Sequence, residues 1–220
     1  MDLDGQLILV DKALTWTSFD VVNKLRYAFK VKKIGHAGTL DPLATGLLLI
    51  GVGKYTKQLG ELQVLDKTYE GIFEIGKTTP SYDLETDFDS ESDTSVVSEE
   101  NIFTAAKKLT GNIEQVPPIY SAIKVGGQRA YKAARDNRSV KLEPRPVTIH
   151  EFEILELKGA EVYFRIQCSK GTYIRTMASD FGKILGVGAY LKGLRRTSIG
   201  DYHVKDAHPV EYWVEKYKAS

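Results

Sequence analysis

Short stretches of two-residue alternation and short stretches with a helical stripe follow one another along these 220 residues without settling into a strand-helix-strand rhythm. A doubly wound parallel sheet needs that rhythm, so its absence points to an α+β fold: a mixed, mostly antiparallel sheet flanked by helices. GQLILVDK reads as a short strand. Ser18 is placed to cap a helix whose buried stripe is Val21, Val22, Leu25 and Phe29. The next segment, KKIGHAGTLDPLATG, has too little periodicity for a strand and reads as a glycine-punctuated loop. Taken by themselves, Asp41 and Pro42 look like the cap and first position of a helix over LATGLLLI. Residues 68 to 76 alternate with Tyr69, Gly71, Phe73 and Ile75 on one face, which is a half-buried strand. Ser98 should cap a helix from Glu99 to Leu109. Residues 147 to 155 and 161 to 168 read as strands. Thr172 should cap a helix to about Leu185, with Ile174, Met177, Ala178, Phe181 and Leu185 inside.

The length suits one sizeable domain spanning 1–220, and 42% hydrophobic with 27% charged residues excludes a disordered or collagenous chain. The longest uncharged apolar run, Gly46 to Gly53, falls far short of the about 18 residues a membrane span needs, so no membrane partner is expected. Asp2 and Asp4 stand where a secretory signal would be basic, and Cys168 has no second cysteine to pair with. A cytoplasmic protein is expected. The net charge of +1 hides an asymmetry: residues 81 to 100 hold eight acidic and no basic side chains, which suggests a mobile acidic surface loop. Residues 120 to 150 instead hold seven Lys or Arg, interleaved with Tyr120 and Tyr131. The overlapping segment QVPPIYSAIKVGGQRAYKAAR reads as a protruding hairpin and basic helix, an insertion around 117–146 able to grip a polyanion.

Several chemistries lose their footing at this level. The histidines are scattered, and HExxH and paired CxxC spacings are missing, so no metal is expected. There is no GxSxG elbow, and the glycine-rich stretches match neither Walker A nor GxGxxG, so no nucleotide cofactor is expected either. Arg175 falls in the first turn of the helix after Thr172, where the macrodipole disfavours a cation by about 0.3 to 1 kcal/mol unless an anion is near. A buried carboxylate is a natural partner, and we take Asp41 as the candidate. An arginine-paired aspartate stays ionised and oriented, which suits a nucleophile.

Five segments then carry a resemblance. DKALTWTSFDVVNKLR, GHAGTLDPLATGLLLIGVGKYTK, KTYEGIFEIGKTT, QVPPIYSAIKVGGQRAYKAAR and CSKGTYIRTMASDFGKILGVGAYLKGLRRTSIG together resemble the TruB family of tRNA pseudouridine-55 synthases. The resemblance implies the pseudouridine synthase fold. It also implies an isomerase, without metal or cofactor, that detaches a uracil, rotates it and rejoins it through carbon 5. By position, Asp41 in LDPLATG matches the nucleophile, Tyr69 in KTYE the aromatic against the target base, and Arg175 in TYIRT the arginine partner of the nucleophile. Tyr173 and Leu194 match residues lining the uridine pocket, and His36 in GHAGT the histidine that enters the RNA loop. Lys12 and Asp83 match further polar positions in the substrate site. The implied partner is tRNA, met at its T-loop elbow by a monomer.

The sequence departs from the family pattern in two places: DKALTWTS has neither the proline nor the glycine of DKPxGxTS, and Asn137 stands where a glycine usually closes the basic helix. The sequence given ends at Ser220, before any C-terminal RNA-binding domain, so a short form is expected. Its RNA would rest on a basic concave face of Lys124, Arg129, Lys132, Arg195 and Arg196. A noncatalytic RNA chaperone that folds tRNA is the alternative, and a purely structural α+β domain a third reading.

Overall fold

The computed structural model describes residues 5–120, 124–125, 128–129 and 142–218. In chain order the elements are β1 (Leu7–Lys12), α1 (Ser18–Phe29), β2 (Ile34–Ala37), β3 (Ala44–Val52), α2 (Leu59–Gln63) and β4 (Lys67–Ile75). They continue with β5 (Lys77–Thr78), β6 (Ser90–Glu91), α3 (Glu99–Lys108), β7 (Gly111–Gln115), β8 (Lys124–Val125), β9 (Gln128–Arg129), β10 (Arg145–Lys158) and β11 (Glu161–Cys168). The last are α4 (Ile174–Leu185), β12 (Ala189–Ile199), β13 (Tyr202–His203) and α5 (Val210–Lys218). The expected mixed, mostly antiparallel α+β fold is present. The chain forms two compact units, Met1–Glu70 with Gly193–Ser220, and Gly71–Lys192.

In the first unit β3 is the central strand. One edge pairs antiparallel with β1, from Leu7↔Gly51 to Lys12↔Gly46. Its other edge is shared: β12 runs parallel to the first residues, Leu194↔Ala44 to Arg196↔Gly46, and β2 antiparallel to the last, Ile34↔Val52 to Ala37↔Leu49. Leu48 and Ile50 point into a core with Val21, Val22, Leu25 and Phe29 of α1 and Val210 of α5. Leu47 and Leu49 point into a second core with Leu59 and Leu62 of α2 and Ile199. Burial on both faces explains why LLLI has no alternation, and it corrects two expectations. LATGLLLI is a strand and not a helix, and the loop expected over KKIGHAGTLDPLATG contains β2. A further correction concerns α1, whose N-cap is Thr17 in a reciprocal box with Asp20, one residue before Ser18.

In the second unit β10 pairs antiparallel with β11 and with β7. Phe73 of β4, Phe152 of β10, Phe164 of β11 and Phe181 of α4 meet there, with ring centroids 4.2 to 6.1 Å apart. Ser98 caps α3 as expected, in a box with Asn101. Thr172 does not cap α4: its hydroxyl donates to Ser169 O, and the N-cap position is Tyr173. Gly182 inside α4 is a packing requirement, since a Cβ there would lie 2.1 Å from the Ala189 nitrogen. The acidic stretch is not wholly a surface loop. β6 pairs with β5, and Asp83 is buried. Strands β8 and β9 pair antiparallel, Lys124↔Arg129 and Val125↔Gln128, where a hairpin was expected. The basic helix expected after them, with Lys132 and Asn137, lies outside the described residues, as do the side chains of Lys124 and Arg129.

Candidate active site

Asp41 stands in the connection from β2 to β3, half-buried, with its backbone carbonyl accepting from Ala44 N at 3.1 Å. Irregular backbone has unpaired polar groups, and here side chains from three other segments satisfy them. Arg196 of β12 is 1% exposed. Its guanidinium donates to Leu47 O at 2.8 Å, Gly38 O at 3.1 Å and Thr39 O at 3.5 Å. Ser18, in the first turn of α1, accepts from Leu40 N at 2.8 Å and donates to Leu40 O at 3.1 Å. Lys12 at the end of β1 is fully buried and donates to Trp16 O at 2.6 Å, Ala13 O at 3.0 Å and Pro42 O at 3.5 Å. Thr15 N donates to the same Pro42 carbonyl at 2.8 Å. The backbone of the residues on both sides of Asp41 is therefore fixed by side chains from elsewhere in the first unit.

Two buried cations so close to one loop set its electrostatics. Burial pushes the Lys12 ammonium down to about 8, with the Asp41 carboxylate pulling the other way and Arg196 adding to the depression. His36 on β2 is held below the usual imidazole range by burial and by Arg196. Its Nδ1 is buried and makes no hydrogen bond of normal geometry among the described residues. A neutral imidazole is the form this environment favours. Leu194 on β12 is half-buried opposite Ala44, with its carbonyl 3.4 Å from the Thr45 hydroxyl. Arg195 reaches past Thr45 to hold Asp11 with two bonds of 3.1 and 2.7 Å. Tyr69 is buried on β4.

The second unit holds the remaining candidates. Arg175 in the first turn of α4 is 4% exposed. Its Nε lies 3.5 Å from Asp83 Oδ2, and it donates to Tyr120 O at 3.0 Å and Ser81 O at 3.4 Å. Asp83 is thus an anion at the helix start, a place for which the sequence argument names Asp41. Tyr173 is fixed by Gln115, which accepts from Tyr173 N at 2.7 Å and donates to Tyr173 O at 3.1 Å.

The structure thus gathers Lys12, His36, Asp41 and Arg196 around one loop, and joins Arg175 to Asp83. Arg196 requires a correction. It was expected on an RNA-facing surface, but its guanidinium is spent on backbone carbonyls inside the first unit. Arg195, 42% exposed, keeps its place at the surface. Ser18 and Gln115 were missed by sequence reasoning. A serine after a threonine carries no local sign that it will bond a residue 22 positions away, and Gln115 acts across 58. Among the described residues no three or more His, Cys, Asp or Glu stand together as a metal-holding group.

Residues 26–174 match the model of the TruB family pseudouridylate synthase N-terminal domain. The chain is 53% identical over 220 residues to tRNA pseudouridine synthase B of Flavobacterium johnsoniae, covering 97% of this chain and 96% of that one. It is 43% identical to the same-named protein of Mycobacterium sp. (strain KMS), covering 98% of this chain and 74% of that one. Among solved structures it is similar to a chain of a Cbf5-Nop10-Gar1 complex, with TM-score 0.75, 28% identity and 99% of this chain covered. It is also similar to a chain of an H/ACA RNP bound to a substrate RNA containing 2'-deoxyuridine, with TM-score 0.72, 26% identity and 96% covered. This chain spans 57% and 53% of those two solved chains. No helix among the described residues is long and apolar enough to cross a membrane.

Proposed function

The chain belongs to the TruB family of pseudouridylate synthases, and on that premise we propose that it converts a uridine of tRNA, position 55 in the T loop, to pseudouridine with Asp41 as nucleophile. The bond from uracil N1 to the ribose breaks, a bond from C5 to the same ribose carbon forms, C5 loses a proton and N1 gains one. Atoms and electrons are conserved, so the rearrangement calls for no co-reactant. The observation that carries the reading is the fixed loop around Asp41, which stands between two residues whose backbone polar groups are bonded by Ser18 and Lys12. Such restraint suits a group that must meet a reacting atom within a few tenths of an ångström.

In this reading the target uridine leaves the T loop, at an unstacking cost of a few kcal/mol, and meets Tyr69 and Leu194 of the first unit, with Tyr173 a further substrate-binding residue. Tyr69 faces the base and aids loss of its C5 proton. Arg175 serves the reaction in the role the family resemblance implies, with Asp83 as its counter-ion in the second unit. Neutral His36 fills the space the base leaves, and Lys12 holds the loop in register. Lys124, Arg129, Lys132 and Arg195 supply RNA-facing charge, so affinity falls as salt rises. A single chain working in the cytoplasm suffices.

Unmodified tRNA incubated with wild type and with Asp41→Asn, followed by mapping of pseudouridine along the RNA, tests this. Product at position 55 from wild type and none from the variant is expected. Equal product from both removes Asp41 as nucleophile, and product at another uridine moves the target. Tight tRNA binding without product from wild type favours the RNA chaperone.

A further inference from the structure

Helix α1 turns Val21, Val22, Leu25 and Phe29 into the core, and its opposite face repeats at 19, 23, 26, 27 and 30. At about 100° per residue these five positions fall within an arc of about 100°. They are Phe19, Asn23, Arg26, Tyr27 and Lys30, with Phe19 63% and Tyr27 81% exposed. Tyr27 is the most exposed of the large hydrophobic side chains among the described residues, and its ring offers a face for stacking. The charge around the two rings is mostly positive, with Asp20 beside Phe19 the exception. From Val21 to Leu40 there are five cations, Lys24, Arg26, Lys30, Lys32 and Lys33, and no acid. The four lysines are exposed, and none of the five cations makes an ion pair among the described residues. Among the described residues the Arg26 guanidinium bonds only Asn23 Oδ1, at 3.1 Å, and its buried Nε makes no hydrogen bond there. Asp20, the acid nearest this face, is engaged by the nitrogen and hydroxyl of Thr17.

A helix C-terminus attracts cations by itself, which accounts for Arg26 and Lys30. It accounts neither for Lys32 and Lys33, which lie beyond the helix, nor for the open rings of Phe19 and Tyr27. Unpaired cations beside exposed rings match a polymer that presents phosphates and stackable bases together. We propose that this face of α1, continued through Lys32 and Lys33, is a second RNA-binding surface, which contacts the body of the RNA outside the reacting loop. Tyr27 stacks on an unpaired or terminal base and the lysines neutralise the adjacent phosphates. Position supports this as well: Lys33 immediately precedes β2, which leads through His36 to the Asp41 loop in the same compact unit. The proposal rests on the reading that the substrate is RNA.

The test compares the full chain with two variants, Tyr27→Ala and the quadruple change of Lys24, Lys30, Lys32 and Lys33 to Gln. A control changes the exposed Lys107 and Lys108 of α3 to Gln, removing lysine charge away from this face, and thermal melts confirm that each variant folds. The probe is full-length unmodified tRNA, titrated at several salt concentrations. The quadruple variant should lose about tenfold or more in affinity near physiological salt, and the slope of log K against log salt should shrink by about 2 to 4. Tyr27→Ala should lose about fivefold or more, and the control should bind as wild type does. Affinity and slope unchanged in the quadruple variant would overturn the proposal, as would a wild type that binds phosphatidylserine vesicles through these lysines and tRNA without them. Pseudouridine formation by wild type is read separately. If it fails while the lysine-dependent tRNA binding persists, the enzymatic reading fails and this surface stands.

Discussion

Arg175 and Asp83 form an ion pair with both side chains almost wholly removed from water, at 4% and 6% exposure, and with 3.5 Å between Nε and Oδ2. Breaking such a pair leaves one charge buried, which costs about 3 to 5 kcal/mol, more than the intact pair is worth against an apolar substitute. Asp83→Asn should therefore unfold at clearly lower urea, with the slope of the transition unchanged. Arg175→Met combined with Asp83→Leu should recover part of the loss. A double variant as unstable as the two single losses added together would show that the charges act independently.

Gly46 occupies the second position of strong restraint. Its φ is +104°, and a Cβ would lie 2.3 Å from the Arg196 carbonyl oxygen on the parallel neighbour β12. Gly46→Ala meets backbone, which cannot swing aside, so β3 and β12 must separate where Arg196 holds Gly38 and Thr39. A loss of at least about 1 to 3 kcal/mol is expected, with a larger fall in pseudouridine formation than the residual folded fraction explains. Single-turnover rates measured beside denaturation curves check both parts. A variant of normal stability and rate would contradict the close approach.

Lys12 gives a pH signature. Its pKa is lowered from the ordinary 10.5 to about 8, so between those values the unfolded chain binds the proton that the folded one has released. Stability therefore rises with pH across that window, and below about 8 the folded state carries the full penalty of a buried ammonium. Lys12→Met lacks this titration. The stability of wild type minus that of Lys12→Met should increase from pH 7.5 to pH 10, measured by chemical denaturation at each pH. A difference that stays flat would mean Lys12 titrates normally.

Local periodicity exposed β1, the inner face of α1, β4, β10, β11 and α4, because each has one buried and one wetter face. It failed at β3, where cores on both sides remove the alternation and Asp41-Pro42 imitates a helix start. The site was legible chiefly through the family resemblance. Asp41 has no chemical mark in its own neighbourhood, and what fixes its loop comes from Lys12, Ser18 and Arg196, far away in sequence. Arg196 shows why composition misleads: a cation reads as surface until three carbonyls from Gly38, Thr39 and Leu47 are seen to surround it. The α1 surface drew no reading from the sequence, because cations near a helix end have an ordinary explanation and the open tyrosine shows only in the structure.

His36 tests the electrostatics of that loop from the other side. Burial, aided by Arg196, lowers its pKa from the ordinary 6.5, so the folded chain resists a proton that the unfolded chain accepts. As pH falls through 6.5 toward the folded value, the unfolded state binds more protons and stability declines; above about 7.5 both states are neutral and nothing is lost. His36→Gln cannot take part in this decline, so the stability advantage of wild type over the variant should narrow between pH 7.5 and pH 5. The imidazole signal missing from the variant's proton NMR spectrum should titrate in wild type with a midpoint below 6.5. Replacing Arg196 with Met would remove one of the two causes and raise that midpoint while burial keeps it below 6.5. A midpoint at or above 6.5 in wild type would mean that solvent reaches the ring, and a neutral imidazole ready to stack against RNA would no longer be what this loop presents.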